Sequence, residues 1–126
     1  MAIDKFTQGY INTALWACSD VEGGPSFEEQ GLTASKIRPS TWASMICDCK
    51  MFQLQNKALL RTALGTLEEK GRDFFLARLG KHSNRIGEFF GLGPFDFGRK
   101  WTEAAQRYET IDLELWDGQI VDPRNL

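Results

Sequence analysis

Residues 71–90 read Gly71-Arg72-Asp73-Phe74-Phe75-Leu76-Ala77-Arg78-Leu79-Gly80-Lys81-His82-Ser83-Asn84-Arg85-Ile86-Gly87-Glu88-Phe89-Phe90, and the fold class turns on them. Two short aromatic runs bounded by charges flank the turn chemistry of residues 79–84, which is the pattern of a hairpin. On this reading residues 72–78 are a first strand and residues 85–90 a returning second strand, ended by Gly91-Leu92-Gly93-Pro94. Adjacent side chains on a strand point to opposite faces. Each pair, Phe74/Phe75 and Phe89/Phe90, would then leave at least one ring outside the core.

Toward the N-terminus the period changes to that of a helix. Pro39 suits a first helical turn, where its missing N–H would be unpaired anyway. From there Trp42, Met45, Ile46, Cys49, Phe52, Leu59, Leu60 and Ala63 track one face, predicting one long helix to Leu64 with Gly65 as its stop. Residues 4–19 form another helix, with Asp4 as N-cap and Phe6, Tyr10, Ile11, Ala14, Leu15 and Cys18 as its apolar stripe. Residues 20–37 between them are a long connection broken by Gly23-Gly24-Pro25, with one short helical turn at residues 33–37.

Toward the C-terminus Asp96 can cap a third helix whose inner face is Phe97, Trp101, Ala104, Ala105 and Tyr108. Ile111, Leu113 and Leu115 alternate with Asp112, Glu114 and Trp116, the clearest strand pattern in the chain. Asp117-Gly118 is a type I′ hairpin signal. It leads into a fourth strand, residues 119–121, and a tail, residues 122–126. The predicted order is α-α-β-β-α-β-β. That is an α+β fold, two N-terminal helices followed by a small, mostly antiparallel sheet of about four strands carrying the third helix.

At 126 residues the chain fits a single domain spanning residues 1–126. Its apolar content of 42% and charged content of 25% are those of globular proteins. The N-terminus has no basic region followed by an apolar one, and no apolar run reaches the ~18 residues of a spanning helix. Three cysteines, Cys18, Cys47 and Cys49, lack a framework spacing and read as reduced thiols. The expectation is a cytoplasmic protein with no membrane contact. The net charge of −2 divides unevenly into −3 over residues 1–49, +5 over residues 50–107 and −4 over residues 108–126.

Several strings, in order along the chain, resemble one family. They are Phe6-Thr7-Gln8-Gly9-Tyr10-Ile11 with Ala14-Leu15-Trp16; Pro39, then Met45 through Asp48-Cys49 and Phe52-Gln53; Gly71 through Arg78; Thr102-Glu103-Ala104-Ala105; Ile111-Asp112-Leu113; and Asp117-Gly118. Together they are similar to small uncharacterised proteins encoded by tailed phages and prophages. The resemblance implies a phage or mobile-element origin and supplies no catalytic residue. Where that family carries a turn followed by Gly-Phe-Trp-Asp, this chain instead reads Gly80 through Phe90.

Enzyme chemistry finds few parts here. His82 is the only histidine, and no nucleophile elbow is present. One histidine and three scattered cysteines do not make a zinc site. Gly91-x-Gly93 before the third helix does not match the dinucleotide spacing, and Asp96 places a negative charge at that helix start. No catalytic residue, metal or cofactor is therefore assigned.

Two surfaces remain. Arg78, Lys81, His82 and Arg85 cluster around one predicted turn beside Phe89, a combination of cations and aromatics that suits single-stranded nucleic acid. Trp16 lies off the main stripe of its helix, and Trp116 points to the polar side of its strand; exposed tryptophans often anchor protein interfaces. The reading favoured by both residues and resemblance is a non-catalytic accessory protein that binds a host or phage protein. Antagonism of a host defence system such as CRISPR or restriction fits that origin. The alternative is a nucleic-acid-associated protein using the basic turn at residues 78–85.

Overall fold

The computed structural model describes residues 3–21, 23–78 and 95–125. Within them the chain is mainly helical. The helices are α1 (Lys5–Ala17), α2 (Pro39–Gln55), α3 (Lys57–Thr62), α4 (Leu67–Arg78) and α5 (Phe95–Gln106), followed by strands β1 (Glu114–Trp116) and β2 (Gln119–Val121). The four-stranded α+β expectation is thereby overturned: the described sheet has two strands.

The decisive correction falls on residues 72–78, which are helix and not strand. Thr66 and Glu69 explain why. The Thr66 N–H donates to Glu69 Oε1 at 2.8 Å, and the Glu69 N–H donates to Thr66 Oγ1 at 3.1 Å, a reciprocal capping box that starts α4. From there Gly71, Phe74, Phe75 and Arg78 are buried at spacings of three, one and three, one side of a helix. On a helix two adjacent phenylalanines lie within one wide stripe, so both Phe74 and Phe75 are fully buried and neither ring escapes the core. The predicted second strand, residues 85–90, lies outside the described residues.

The predicted long second helix is also divided. Asn56 leaves helical geometry (φ −128, ψ 39), and its side-chain N–H donates to the Phe52 carbonyl at 3.0 Å. A side chain that bonds the local backbone competes with helix propagation. Gly65, at φ +97, then turns the chain after α3. Asp4 caps α1 as expected, its carboxylate accepting from the Thr7 N–H at 2.8 Å, and Pro39 opens α2.

α1 and α4 are packed backbone to backbone. A Cβ on Gly9 would overlap the Glu68 carbonyl oxygen, with Glu68 C and Cα at 2.7 and 2.8 Å. A Cβ on Gly71 would overlap the Phe6 carbonyl oxygen, with Tyr10 N at 3.0 Å. Each glycine costs a helix interior about 1 kcal/mol relative to alanine, and here each makes the crossing possible. Over this contact the rings of Phe6, Tyr10, Phe52, Phe74, Phe75 and Trp101 close the core, with Phe52 and Phe74 stacked at 4.1 Å between centroids.

Residues 26–32 of the connection between α1 and α2 pack against the end of α1. Ser26 and Glu29 exchange hydrogen bonds at 3.0 and 3.1 Å, and Phe27 is fully buried. The Phe27 and Glu28 N–H groups donate to the Cys18 and Leu15 carbonyls. The expected short turn appears as a 3-10 helix at Ala34–Lys36, and Ile37 then bridges Ile120.

β1 and β2 pair antiparallel, with Leu115 opposite Ile120. Asp117 (φ 51) and Gly118 (φ 78) both take positive φ, as a type I′ turn requires. Ile111 and Leu113 are buried and Asp112 exposed, so the predicted alternation holds, although pairing begins only at Glu114. The expected tail is docked as well: Asp122 is buried, its N–H donates to Thr41 Oγ1, and Arg124 pairs with both Asp122 and Glu109.

Candidate functional site

Arg78 was expected on the surface and is found in the core, 2% exposed. As the last residue of α4 it is aimed inward. Its Nη1 donates to Tyr10 Oη at 2.7 Å and to Asp48 Oδ2 at 2.8 Å, while Nε and Nη2 both donate to the Glu109 carbonyl at 3.1 and 2.9 Å. Its guanidinium also lies 5.6 Å from the Phe74 ring centre and 5.7 Å from that of Tyr108. The Arg78 carbonyl accepts from the Ile111 N–H. One side chain thus ties α1, α2 and α4 to the segment that follows α5. Burial pushes the Tyr10 hydroxyl well above the usual tyrosine range, so it stays neutral in this network.

The basic surface therefore loses its first member. Lys81, His82, Arg85 and Phe89 lie outside the described residues. Of the two tryptophans, Trp16 is 61% exposed at the C-terminal end of α1, and its indole N–H has no hydrogen bond among the described residues. Trp116 is 36% exposed, and its N–H donates to Glu114 Oε1 at 2.8 Å, so it is held along its own strand.

A further surface lies on α2 and is legible in its helical spacing. The outward side of α2 carries Ala43, Cys47, Met51 and Leu54, all exposed, with Met51 at 39% and Leu54 at 54%. They recur at spacings of four, four and three residues, which confines them to a sector of roughly 80° on the helix. Lys50 is the charged residue at the edge of that sector, and Asp48 turns away to Arg78. The inward side carries Met45, Cys49 and Phe52. A helix apolar on both sides is ordinarily enclosed by protein. The signal was there in the spacing, and it was masked because the inner stripe alone explains a helix.

The remaining chemistry is sparse. Among the described residues no group of three or more His, Cys, Asp or Glu side chains could hold a metal ion, and no helix is long and apolar enough to cross a membrane. All three cysteines are free thiols: Cys47 is exposed, while burial pushes Cys18 up to about 12, with the negative charge of Asp112 adding to it. Asp73 is buried and accepts from Arg72, itself largely exposed, at 3.0 and 3.5 Å. Burial raises its carboxyl above the ordinary range, with Arg72 opposing the shift. Compared with protein-family models, curated proteins and solved structures, the chain matches none of them.

Proposed function

We propose that this is a non-catalytic accessory protein that works by binding another protein, with the outer face of α2 as a docking surface. The observation that carries the reading is the apolar sector formed by Ala43, Cys47, Met51 and Leu54 on a helix whose opposite side already fills the core. Exposed apolar area of this kind is stabilised when a partner removes it from water, at about 25 cal/mol per Å². A phage or mobile-element origin, with antagonism of a host defence as its purpose, is proposed from the ordered resemblance alone. The nucleic-acid reading is weakened by the burial of Arg78, whose donors are committed inside the protein.

The test is purification of the tagged protein from bacterial cells, with and without nuclease, beside a Met51→Glu/Leu54→Glu double variant. Both positions are exposed, so the variant should fold. A stoichiometric, nuclease-resistant partner that the double variant fails to retain is the expected result. Equal recovery by both proteins would remove α2 from the account. Recovery of nucleic acid alone, lost with nuclease or raised salt, would restore the alternative.

A further inference from the structure

The end of α1 collects acidic residues. Residues 16–35 hold no Lys, Arg or His and carry Asp20, Glu22, Glu28 and Glu29, whereas in residues 108–123 Glu109 and Asp122 are already paired with Arg124. The segment after α1 returns to the end of that helix. The Glu28 N–H donates to the Leu15 carbonyl at 2.9 Å, Asp20 accepts from Gln30 at 2.8 Å, and the charge of Asp112 reaches Cys18. Neither Asp20 nor Glu28 has an ion pair among the described residues. The last turn of α1 has no basic residue, so the negative end of its dipole points the same way. Independently of these charges, Trp16 stands 61% exposed at this end, and Val21, five residues on, is 56% exposed.

Charge decides among occupants. A second copy meeting this face symmetrically would bring like charges together, which is destabilising. A phosphate backbone would be repelled. An uncharged surface would desolvate carboxylates without pairing them. We infer that the Trp16 end of α1 docks a cationic protein surface, the indole entering an apolar recess and Asp20 and Glu28 pairing with Lys or Arg around it. The inference rests on the protein-binding reading and concerns a different face from α2. A buried aromatic anchor inside a charged rim is the arrangement by which interfaces combine affinity with fast, selective encounter.

The experiment titrates the full chain with three fluorescent amphipathic helical peptides that share one leucine face and carry Lys, Gln or Glu on the other. Trp16→Ala and Asp20→Asn/Glu28→Gln are measured in parallel, with near-UV circular dichroism to show that each folds. The Lys peptide should bind about tenfold or more tighter than the Gln peptide at low salt, and the Glu peptide least. Raised salt and the Asn/Gln variant should each remove that advantage, while Trp16→Ala should weaken both the Lys and Gln peptides. If Trp16→Ala weakens binding but Lys and Gln peptides remain equal, the cationic partner is overturned and docking at Trp16 stands. If no peptide depends on Trp16, the surface itself is overturned. The α2 double variant, judged separately by purification, then decides whether protein binding survives without it.

Discussion

Gly71→Ala is the substitution whose sign is most informative. At an exposed helix position this change stabilises by about 0.8–1.0 kcal/mol, because alanine has less backbone entropy to lose. At Gly71 the new methyl would overlap the Phe6 carbonyl oxygen, and the other nearest atoms, Phe6 C at 2.8 Å and Tyr10 N at 3.0 Å, are also backbone of α1. No rotamer can relieve a clash with a helix backbone, so α1 and α4 must separate, and the ring contacts of Tyr10 with Phe74 and Phe75 between them must loosen. Overpacking of this kind costs about 1–3 kcal/mol, and a rigid neighbour places it at the upper end. After the propensity gain the net loss is about 2 kcal/mol. For a domain of this size that lowers Tm by about 8 °C. Urea and thermal melts measure it directly, with an unchanged m-value showing that stability alone moved. Asn12→Ala, on the exposed side of α1, is the control and should raise stability by a few tenths of a kcal/mol. A stabilised Gly71→Ala would refute the backbone contact between α1 and α4.

Other outcomes follow from single side chains. Arg78→Met should cost about 3–5 kcal/mol in denaturant melts, since it strands the Asp48 carboxylate as well as Tyr10 Oη and the Glu109 carbonyl. Asp48→Asn should cost only about 1 kcal/mol, because an amide oxygen can still accept and the site is partly open; equal losses would mean that Arg78 acts through its ion pair alone. The folded Asp73 carboxyl titrates above its unfolded value near 3.9, so its contribution is fully present below that pH and is lost as pH rises through the raised folded value. Asp73→Asn should therefore flatten stability against pH across that window and leave the protein at least as stable at neutral pH. Ellman's reagent should find one fast thiol, removed by Cys47→Ser, because Cys18 and Cys49 are held protonated by burial.

What the sequence determined by itself was local and periodic. Asp4 capping α1, Pro39 opening α2, the Asp117-Gly118 turn and the alternation from Ile111 to Leu115 each depend on a few neighbouring residues, and each stands in the structure. The outer stripe of α2 was equally legible, since it needs only the helical spacing. The tertiary structure alone decided the rest. Residues 72–78 are rich in strand-favouring aromatics, and they are helical because the Thr66–Glu69 box starts a helix whose Gly71 can meet α1. Arg78 reads as a surface cation until Tyr10, Asp48 and Glu109, distant in sequence, supply acceptors that make its burial tolerable. The acidic end around Trp16 exists only because Phe27 and Glu28 fold back on α1, where the charge of Asp112 also reaches Cys18. Propensity and spacing act over a turn or two of chain; burial, backbone contact and charge neighbourhoods are properties of which segments meet, and that is settled by packing.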